Sequence, residues 1–523
     1  MTKYVLKRGI HGLLSVAVVV AIVMIMIYGL MNKELIFAED PTYTKMNNNR
    51  KVNYMYSRWE SYGYLHYVPY SDYLSALKKD GTIDEDTRSQ AVLLGKTSEF
   101  DSELTKEYIE KFTKYYTDKG YAVERRDAVM MGGNKLAEGG QPILFAHKPI
   151  PLITRLGNYF SKLITIDNIH NAKNIEGKRG ITFTWHDPVY GGKKFSPALI
   201  GNGTKHKYLL YFDSHFPFLH QNLITIQLGK SYSINKGVDV ADTMVEPQGG
   251  YVKSTITYPT GMKEKSADDL HTATYVAGSR KTSRLVRARF TDDYSDTKTI
   301  KNQRSRIGFS FTNGILASIL AYLIGVPVAL LMARKKDKLA DKIGTFYIVV
   351  IIAVPSLAYI FLVRAIGGAL GLPTAYNLEK ATAAMYVLPI ISLAMPSIGG
   401  IMRWLRRYII DQMNMDYVKF ARSEGLSERE IYSKHILKNA AIPIIQGIPG
   451  TILFALVGAL ITERCYVVPG TGGMLVDALN HHDNSVIVGV VLFYAILSVV
   501  SYILGDVLMA TVDPRISFTT KDR

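Results

Sequence analysis

The sequence predicts an α-helical polytopic membrane protein of six transmembrane helices, with a mixed α/β extracytoplasmic domain inserted after the first. Three observations carry this. Six uncharged runs each approach or exceed the ~20 residues needed to cross a bilayer. Lys and Arg cluster in alternate connections between those runs. Between Asn32 and Arg306 no stretch is apolar enough to cross. The mean hydropathy of +0.06 therefore averages very apolar and very polar regions. A net charge of +17 raises nucleic acid as a partner, but basic residues beside the cytoplasmic ends of spans account for it, and no nucleic-acid binding is expected. Cys465 is the single cysteine, so no intrachain disulfide forms and an outer domain must rely on its packed core.

The chain begins with Lys3, Lys7 and Arg8 ahead of an uncharged run from Gly12 to Met31. This has the layout of a signal peptide, with Ala38 as a cleavage residue. The run is longer than the roughly 7–15 residues of a signal core, so residues 1–31 read as an uncleaved first helix with its amino terminus inside.

Residues 32–306 form the extracytoplasmic domain. Asp101 to Gly120 reads as an amphipathic helix with Leu104, Tyr108, Phe112 and Tyr115 on one face, Asp101 as cap and Gly120 as stop. Ile181 to Trp185, Tyr208 to Phe212, Val252 to Tyr258 and Leu285 to Phe290 have the β-branched and aromatic content of strands. The many tyrosines suit either a binding surface or ordinary packing. Leu228-Gly229-Lys230-Ser231 copies the end of a phosphate-binding loop, but Ile224 stands where that motif needs its first glycine. Nucleotide binding is rejected there.

Five further runs follow: Gly308 to Ala333, Ile343 to Val363, Ala381 to Met402, Ala440 to Thr462 and Ser485 to Gly505. Arg334, Lys335, Lys336 and Lys338 follow the first of these, and Arg403, Arg406 and Arg407 the third, which places both termini in the cytoplasm. Pro327, Pro355, Pro389, Pro396 and Pro449 fall in these runs, either as kinks for packing or as breaks lining a path. Asp506, one or two turns inside the last run, must face protein or water. His481-His482-Asp483 is read as a solvated loop, because adjacent residues rarely converge on one ion. No H-E-x-x-H or G-x-S-x-G element occurs, so neither a catalytic residue nor a metal site is expected.

The polar stretch from Asp416 to Pro443 reads as two short helices around a glycine. Gly425 suits the left-handed residue after a helix, and Ser427 with Glu430 has the capping-box spacing. Tyr432, Ile436 and Ala440 give the second helix one apolar side, and Pro443 marks the next apolar run. A DNA-reading helix-turn-helix has this outline, but the flanking runs are membrane spans. A solvated loop with ordinary caps is the other local reading.

The same stretch resembles the cytoplasmic EAA loop of binding-protein-dependent ABC importer permeases, specifically the B-type membrane subunit of oligopeptide and dipeptide permeases. Ala421, Gly425, Leu426, Ser427, His435, Asn439 and Pro443 fall on positions of the peptide-importer motif. The general motif has Glu at Lys419 and Ala at Phe420, a departure that peptide permeases share. Gly325-Val326-Pro327, Val354-Pro355-Ser356, Glu463 with Pro469-Gly470-x-Gly472, Asp483, and Asp506 with Asp513-Pro514-Arg515 resemble further landmarks, as do Lys7-Arg8 before the first helix. Gly229, Ser231 and Val238 resemble the family's short segment before its second span. Against the short members, positions 245–302 and much of 47–208 are insertions; the enlarged domain resembles the subunits of streptococci and relatives.

The resemblance implies a type I ABC importer fold, with residues 1–31 as first segment and helix, 32–306 outside, and 307–523 as permease domain with its coupling loop at 403–442. It implies a multi-pass subunit of the plasma membrane that pairs with a second, C-type permease. Two cytoplasmic ATPases and an extracellular substrate-binding lipoprotein that delivers oligopeptides complete the set. This chain is then no enzyme and holds no cofactor, ATP and Mg being on the ATPases. Ala421, Arg422, Glu424, Gly425, Leu426, Ser427 and Glu428 are the expected coupling residues, and Pro327, Pro355, Glu463 and Asp506 the structural or path candidates. The competing readings are a membrane-anchored receptor or sensor and an export-type permease.

Overall fold

The computed structural model describes residues 2–512, apart from 133–134, 173–174, 176, 188–194, 213–218, 234–236, 246–253, 258–262, 267, 276–294 and 300–303. The expected strand at Leu285–Phe290 and the Asp513-Pro514-Arg515 signature lie outside the described residues. Two compact units result: Ala21–Lys162 with Asn480–Asn484, and Met1–Val20, Leu163–Leu479 and Ser485–Arg523. Positions 32–306 are thus shared between them.

In the larger unit the apolar runs are helices. Among the described residues four helices are long and apolar enough to cross a membrane alone: Tyr4–Gly29, Arg306–Arg334, Ala383–Met413 and Asn484–Val512. Two bent pairs reach that length only together: Leu339–Ala353 with Ser356–Ala369, at 113°, and Glu428–Gln446 with Ile448–Val457, at 40°. The expected crossing from Ile343 to Val363 is therefore broken, at one of the prolines read as a kink or a break. Pro355 causes it: the residue before a proline is pushed out of the helical region, and Val354 sits at φ −83°, ψ 129°. In the second pair Gly447 ends one helix and Pro449 stands in the first turn of the next.

Lipid tails are as apolar as the helices, so close van der Waals packing must hold them together. The sequence supplies small residues for it. Ala317, Ala321, Ala394, Ala455 and Ala459 form one buried cluster with Met332, Ile398 and Ile401. A Cβ on Gly325 would come within 3.1 Å of Ile401, which fixes how near the Arg306–Arg334 and Val387–Met413 helices lie.

The strands of this unit lie in sequence between the Tyr4–Gly29 helix and the Arg306–Arg334 helix. Gly180–Thr184, Ala198–Asn202, Tyr208–Phe212 and Leu219–Gln221 form a four-stranded antiparallel sheet in that order. Ile164–Ile166 and Ile224–Ile226 pair as a separate ribbon. The first two expected strands here are thus observed, and Ser254–Thr257 is a strand within the third.

The smaller unit packs helices on a three-stranded antiparallel sheet in which Ile143–Pro149 lies between Leu65–Pro69 and Ala122–Arg126. Its core includes Tyr70, Leu74, Phe112, Leu144 and Ala146. The expected amphipathic helix spans Glu103–Asp118, and its cap is Ser102, whose hydroxyl accepts the Thr105 N–H at 3.1 Å. Asp101 is instead buried, pairing with Arg125 at 2.7 Å and accepting the Gly95 N–H. The buried stripe runs through Thr105, Tyr108, Ile109, Phe112 and Tyr116, while Tyr115 is exposed beneath Lys119, because one helical turn is 3.6 residues.

Candidate functional site

The polar stretch folds as a braced bend. The Asp416–Ser423 helix ends at Glu424, and Gly425 takes φ +83°. The Leu426 N–H then returns to the Ala421 carbonyl at 3.2 Å and the Gly425 N–H to Arg422 at 3.1 Å, closing the helix end as glycine permits. Ser427 and Glu430 form a complete capping box. Across the turn Arg422 grips Glu428, Nε to Oε1 at 2.6 Å and Nη2 to Oε2 at 3.2 Å. The carboxylate holds the Arg422 pKa above its ordinary value, and Lys419 holds Asp416 below the usual carboxylate range.

One side of this bend is welded to the chain's own helices. Val418, Ala421, Ile431, Ile436 and Ala440 are buried against Ala329, Ala333, Leu405 and Ile409 at the ends of two long helices, with Leu426 packed on the cluster. The other side is free: Lys419, Phe420, Arg422, Ser423, Glu424, Gly425, Ser427 and Glu428 are exposed, Phe420 to 65%. Of the expected coupling residues, Ala421 and Leu426 thus hold the bend in place and the other five present a surface. Phe420 was not among them. Its signal was the helical phase, since it lies 100–200° around from Val418 and Ala421.

Beyond the bend, Ile431–Ile436 form a π-turn. Residues five apart stack there, so Ile431 and Ile436 are both buried, and the fourfold spacing of Tyr432, Ile436 and Ala440 describes the face only in part. Pro443 lies inside the Leu437–Gln446 helix and does not start a new one.

The four other candidates fall in separate places. Pro327 is within the Arg306–Arg334 helix, and Pro355 is at the 113° break. Glu463 is fully buried: its carboxylate accepts the Ser310 hydroxyl at 2.5 Å and the Gly473 N–H at 3.0 Å, and its backbone carbonyl accepts the Val468 N–H at 2.9 Å. Asp506 faces protein, accepting the Tyr4 hydroxyl at 2.9 Å and pairing with Arg8 at 3.0 Å. None of these four lines the cavity of about 420 Å³ that Tyr322, Pro396, Trp404, Pro443, Gly447 and Phe454 help enclose. No ionisable side chain other than tyrosine lines it.

The discarded phosphate-loop look-alike has a structural role. Gly229 takes φ +100°, and the Asp239 carboxylate accepts the N–H groups of Leu228, Gly229 and Ala241. Burial pushes the Asp239 pKa up. No helix opens at Ser231, as a nucleotide-binding loop requires; the next begins at Val240.

The bend is thus fastened by its apolar side to two helices of membrane-crossing length, and the cavity beside Pro443 and Gly447 is lined by no charged residue. The molecule is a membrane transport subunit. Residues 325–518 match the family of binding-protein-dependent transport system inner membrane components. The oligopeptide transport system permease protein AmiC of Streptococcus pneumoniae is 34% identical over 528 residues, covering 100% of this chain and 99% of the relative. The dipeptide transport system permease protein DppB of Lactococcus lactis is 31% identical over 43% of this chain and 73% of its own length. The oligopeptide transport system permease protein AppB of Bacillus subtilis is 29% identical over 39% of this chain and 67% of its own. The chain belongs to this family of ABC importer permeases, in its oligopeptide and dipeptide branch.

Proposed function

We propose that this chain is the B-type permease subunit of an ABC importer for oligopeptides, moved by ATPase subunits that seat on the exposed side of the Gly425 bend. The observation that carries the coupling reading is the division of the bend into a welded and a free side. A push on Phe420, Glu424 or Gly425 reaches Val418 and Ala421, and through them Ala329, Ala333, Leu405 and Ile409. Packed interiors pass such displacement on because they are close to incompressible. No proton or covalent step is assigned to this chain, and ATP with Mg belongs to the ATPases.

In this reading each bent pair is one crossing, giving six spans in a type I importer arrangement with both termini in the cytoplasm. The positive clusters after Ala333 and Met402 support that orientation. Positions 32–306 lie outside as an inserted region. The coverage pattern supports the insertion, since the short relatives match only 39–43% of this chain whereas the full-length one matches throughout. A second permease subunit completes the path, with the Trp404 and Phe454 cavity on this chain's side of it. An extracellular binding lipoprotein presents the peptide.

The test is ATP hydrolysis by the reconstituted complex with and without peptide-loaded binding protein. Stimulation by the loaded binding protein is expected for the native chain and is lost in Gly425→Val at equal assembly. Equal stimulation in both would remove the bend from the coupling path. A sensor reading gains nothing from the structure.

A further inference from the structure

The ribbon of Ile164–Ile166 and Ile224–Ile226 presents an apolar face to its surroundings. Ile164 pairs with Ile226 and Ile166 with Ile224, so the twofold alternation of strands puts all four isoleucines on one side and Thr165 with Thr225 on the other. The four are exposed by 59, 63, 47 and 54% for Ile164, Ile166, Ile224 and Ile226. The ladder extends at both ends, from Gln227 N–H to Leu163 at 2.9 Å and from Asp167 N–H to Leu223 at 2.8 Å. A two-stranded ribbon is marginal in water by itself, and an uncharged face of β-branched residues marks a surface that something covers.

The ends of the ribbon differ. At one, buried Asp167 accepts the N–H groups of Lys205 at 2.8 Å and His206 at 2.9 Å, tying it to the strand-rich part of the unit. At the other, the second strand runs straight into Leu228 and Gly229. A Cβ on Gly489 would lie 3.1 Å from Leu228 and 2.9 Å from Val240, and one on Gly229 would lie 3.3 Å from Ser485. Those contacts are on the Asn484–Val512 helix. Its 29 residues rise ~43 Å, about the full ~40–45 Å of a bilayer with its headgroups. Ser485 therefore marks one headgroup layer and Gly489 lies ~6 Å deeper. At ~3.4 Å per strand residue, Ile226 is within ~7 Å of Leu228 and Ile224 within ~14 Å, whichever way the ribbon leaves the helix.

We propose that the four-isoleucine face is a lipid contact, seated in the headgroup and upper acyl layer at the Ser485 end of the last span. Because the Asp167 end is tied to the polar Lys205 and His206 segment, the ribbon runs toward water from Leu228, and the Ile164–Ile226 pair lies deeper than Ile166–Ile224. This rests on Asn484–Val512 being a span. Continuity with that span selects phospholipid as the occupant, and the face carries no charge that would resist it.

Site-directed fluorescence on the assembled transporter in phosphatidylcholine nanodiscs tests this. In a Cys465→Ala background, single cysteines replace each of the four isoleucines, Thr165, Thr225 and, as control, Ile496 on the span. A bimane label on each is quenched in turn by a shallow doxyl lipid, or for Ile496 by a doxyl group deep in the acyl chain, and by aqueous iodide. Lipid quenching at Ile164 and Ile226 should exceed that at Thr165 and Thr225 at least twofold, with Ile166 and Ile224 between. Iodide quenching of the isoleucine sites equal to that of the threonine sites overturns the proposal. So does shielding from both quenchers, which would mean protein covers the face. Loss of lipid quenching at Ile496 would instead strike at the span itself.

Discussion

Arg406 holds Asp341 by two parallel hydrogen bonds, Nε to Oδ1 and Nη2 to Oδ2, both 2.6 Å, with 26% and 4% of the two side chains exposed. The pair bolts the Leu339–Ala353 helix to the Val387–Met413 helix one residue from Leu405, which anchors the polar bend. Removing one partner leaves a mostly buried charge alone, a loss of about 3 kcal/mol. Asp341→Asn and Arg406→Gln should each lower the thermal stability of the purified complex, and the double variant should lose less than the two singles summed. Arg406→Lys, which lacks the planar fork, should fall near Arg406→Gln. Strict additivity of the two singles would show that the contact contributes nothing.

Phe420 and Ala421 are neighbours with opposite expected phenotypes. Phe420→Ser removes an exposed ring, so the chain's own stability should change by less than about 0.5 kcal/mol. If an ATPase covers that ring, its burial contributes about 1.5–3 kcal/mol, and binding of the ATPase subunits should weaken roughly 10- to 100-fold. Ala421→Asp puts a charge into the cluster with Ala333 and Leu405 and should destabilise this chain first. Titrating purified ATPase subunits onto the nanodisc-embedded permease pair reads both effects, and unchanged affinity in Phe420→Ser would move the docking surface elsewhere.

At Gly425 the backbone and the surroundings make separate demands. No heavy atom lies within 4 Å of where its Cβ would be, so substitution there meets only the positive φ. Asn tolerates that region and Val does not. Gly425→Asn should keep most peptide uptake, Gly425→Ala should weaken the bend by about 1 kcal/mol, and Gly425→Val should uncouple. Equal failure of Asn and Val in an uptake assay would mean that a partner fills the space.

The apolar runs and the bend were legible because each rests on local pattern: length, a left-handed glycine, a hydroxyl three residues before a carboxylate. Four of the six runs became helices of crossing length, and Ser427 found Glu430 as spaced. What was not legible depends on partners distant in sequence. Nothing near Arg406 announces Asp341, 65 residues away. Local phase can put Val418 and Ala421 on one face, but it does not name Ala329 and Ile409 as what covers them. The π-turn shifts the face of one helix by a residue, and a 3.6-residue template has no place for it. Pro355 was seen as a kink or a break, but a proline by itself does not specify the 113° angle.

The smaller unit should be acid-sensitive through His147. Its ring lies 5.1 Å from Tyr56 and 6.0 Å from Phe145, and burial lowers its pKa below the ordinary 6.5, with Glu124 opposing at 3.9 Å. The unfolded chain therefore takes up this proton before the folded one does. The stability linked to His147 is complete above pH 6.5 and declines as pH falls through the depressed folded value. Hydrogen exchange of the Ile143–Pro149 strand, corrected for intrinsic rates, should lose protection severalfold between pH 7.5 and 5.5. His147→Gln should flatten that dependence.

Gly470 leaves room for the Glu463 carboxylate, and Gly472 leaves room first for the Leu460 backbone, 2.5 Å from where its Cβ would be, and then for that carboxylate. A Cβ on Gly470 would overlap that carboxylate, and one on Gly472 would come within 2.9 Å of it. The same carboxylate accepts Ser310 from another helix, and Val467 is held at φ +57°, a region a β-branched residue avoids, to start the turn. Glu463 is thus the peg around which the Val467–Gly473 segment is wound and fixed to the Arg306–Arg334 helix. Glu463→Gln keeps one acceptor oxygen, for the Gly473 N–H, and turns its amide N–H toward the Ser310 hydroxyl, which can accept, so it should be the mildest change. Glu463→Ala leaves the buried Gly473 N–H unsatisfied, about 1–3 kcal/mol, while the Ser310 hydroxyl keeps Thr471 as partner. Gly470→Ala should be as damaging as Glu463→Ala, although it removes nothing. Combining the two should restore part of the loss, because truncating the Glu463 side chain makes room for the new methyl group. Expression-normalised thermal stability of the four variants decides it: a double variant worse than both singles would show that Gly470 answers to something other than Glu463.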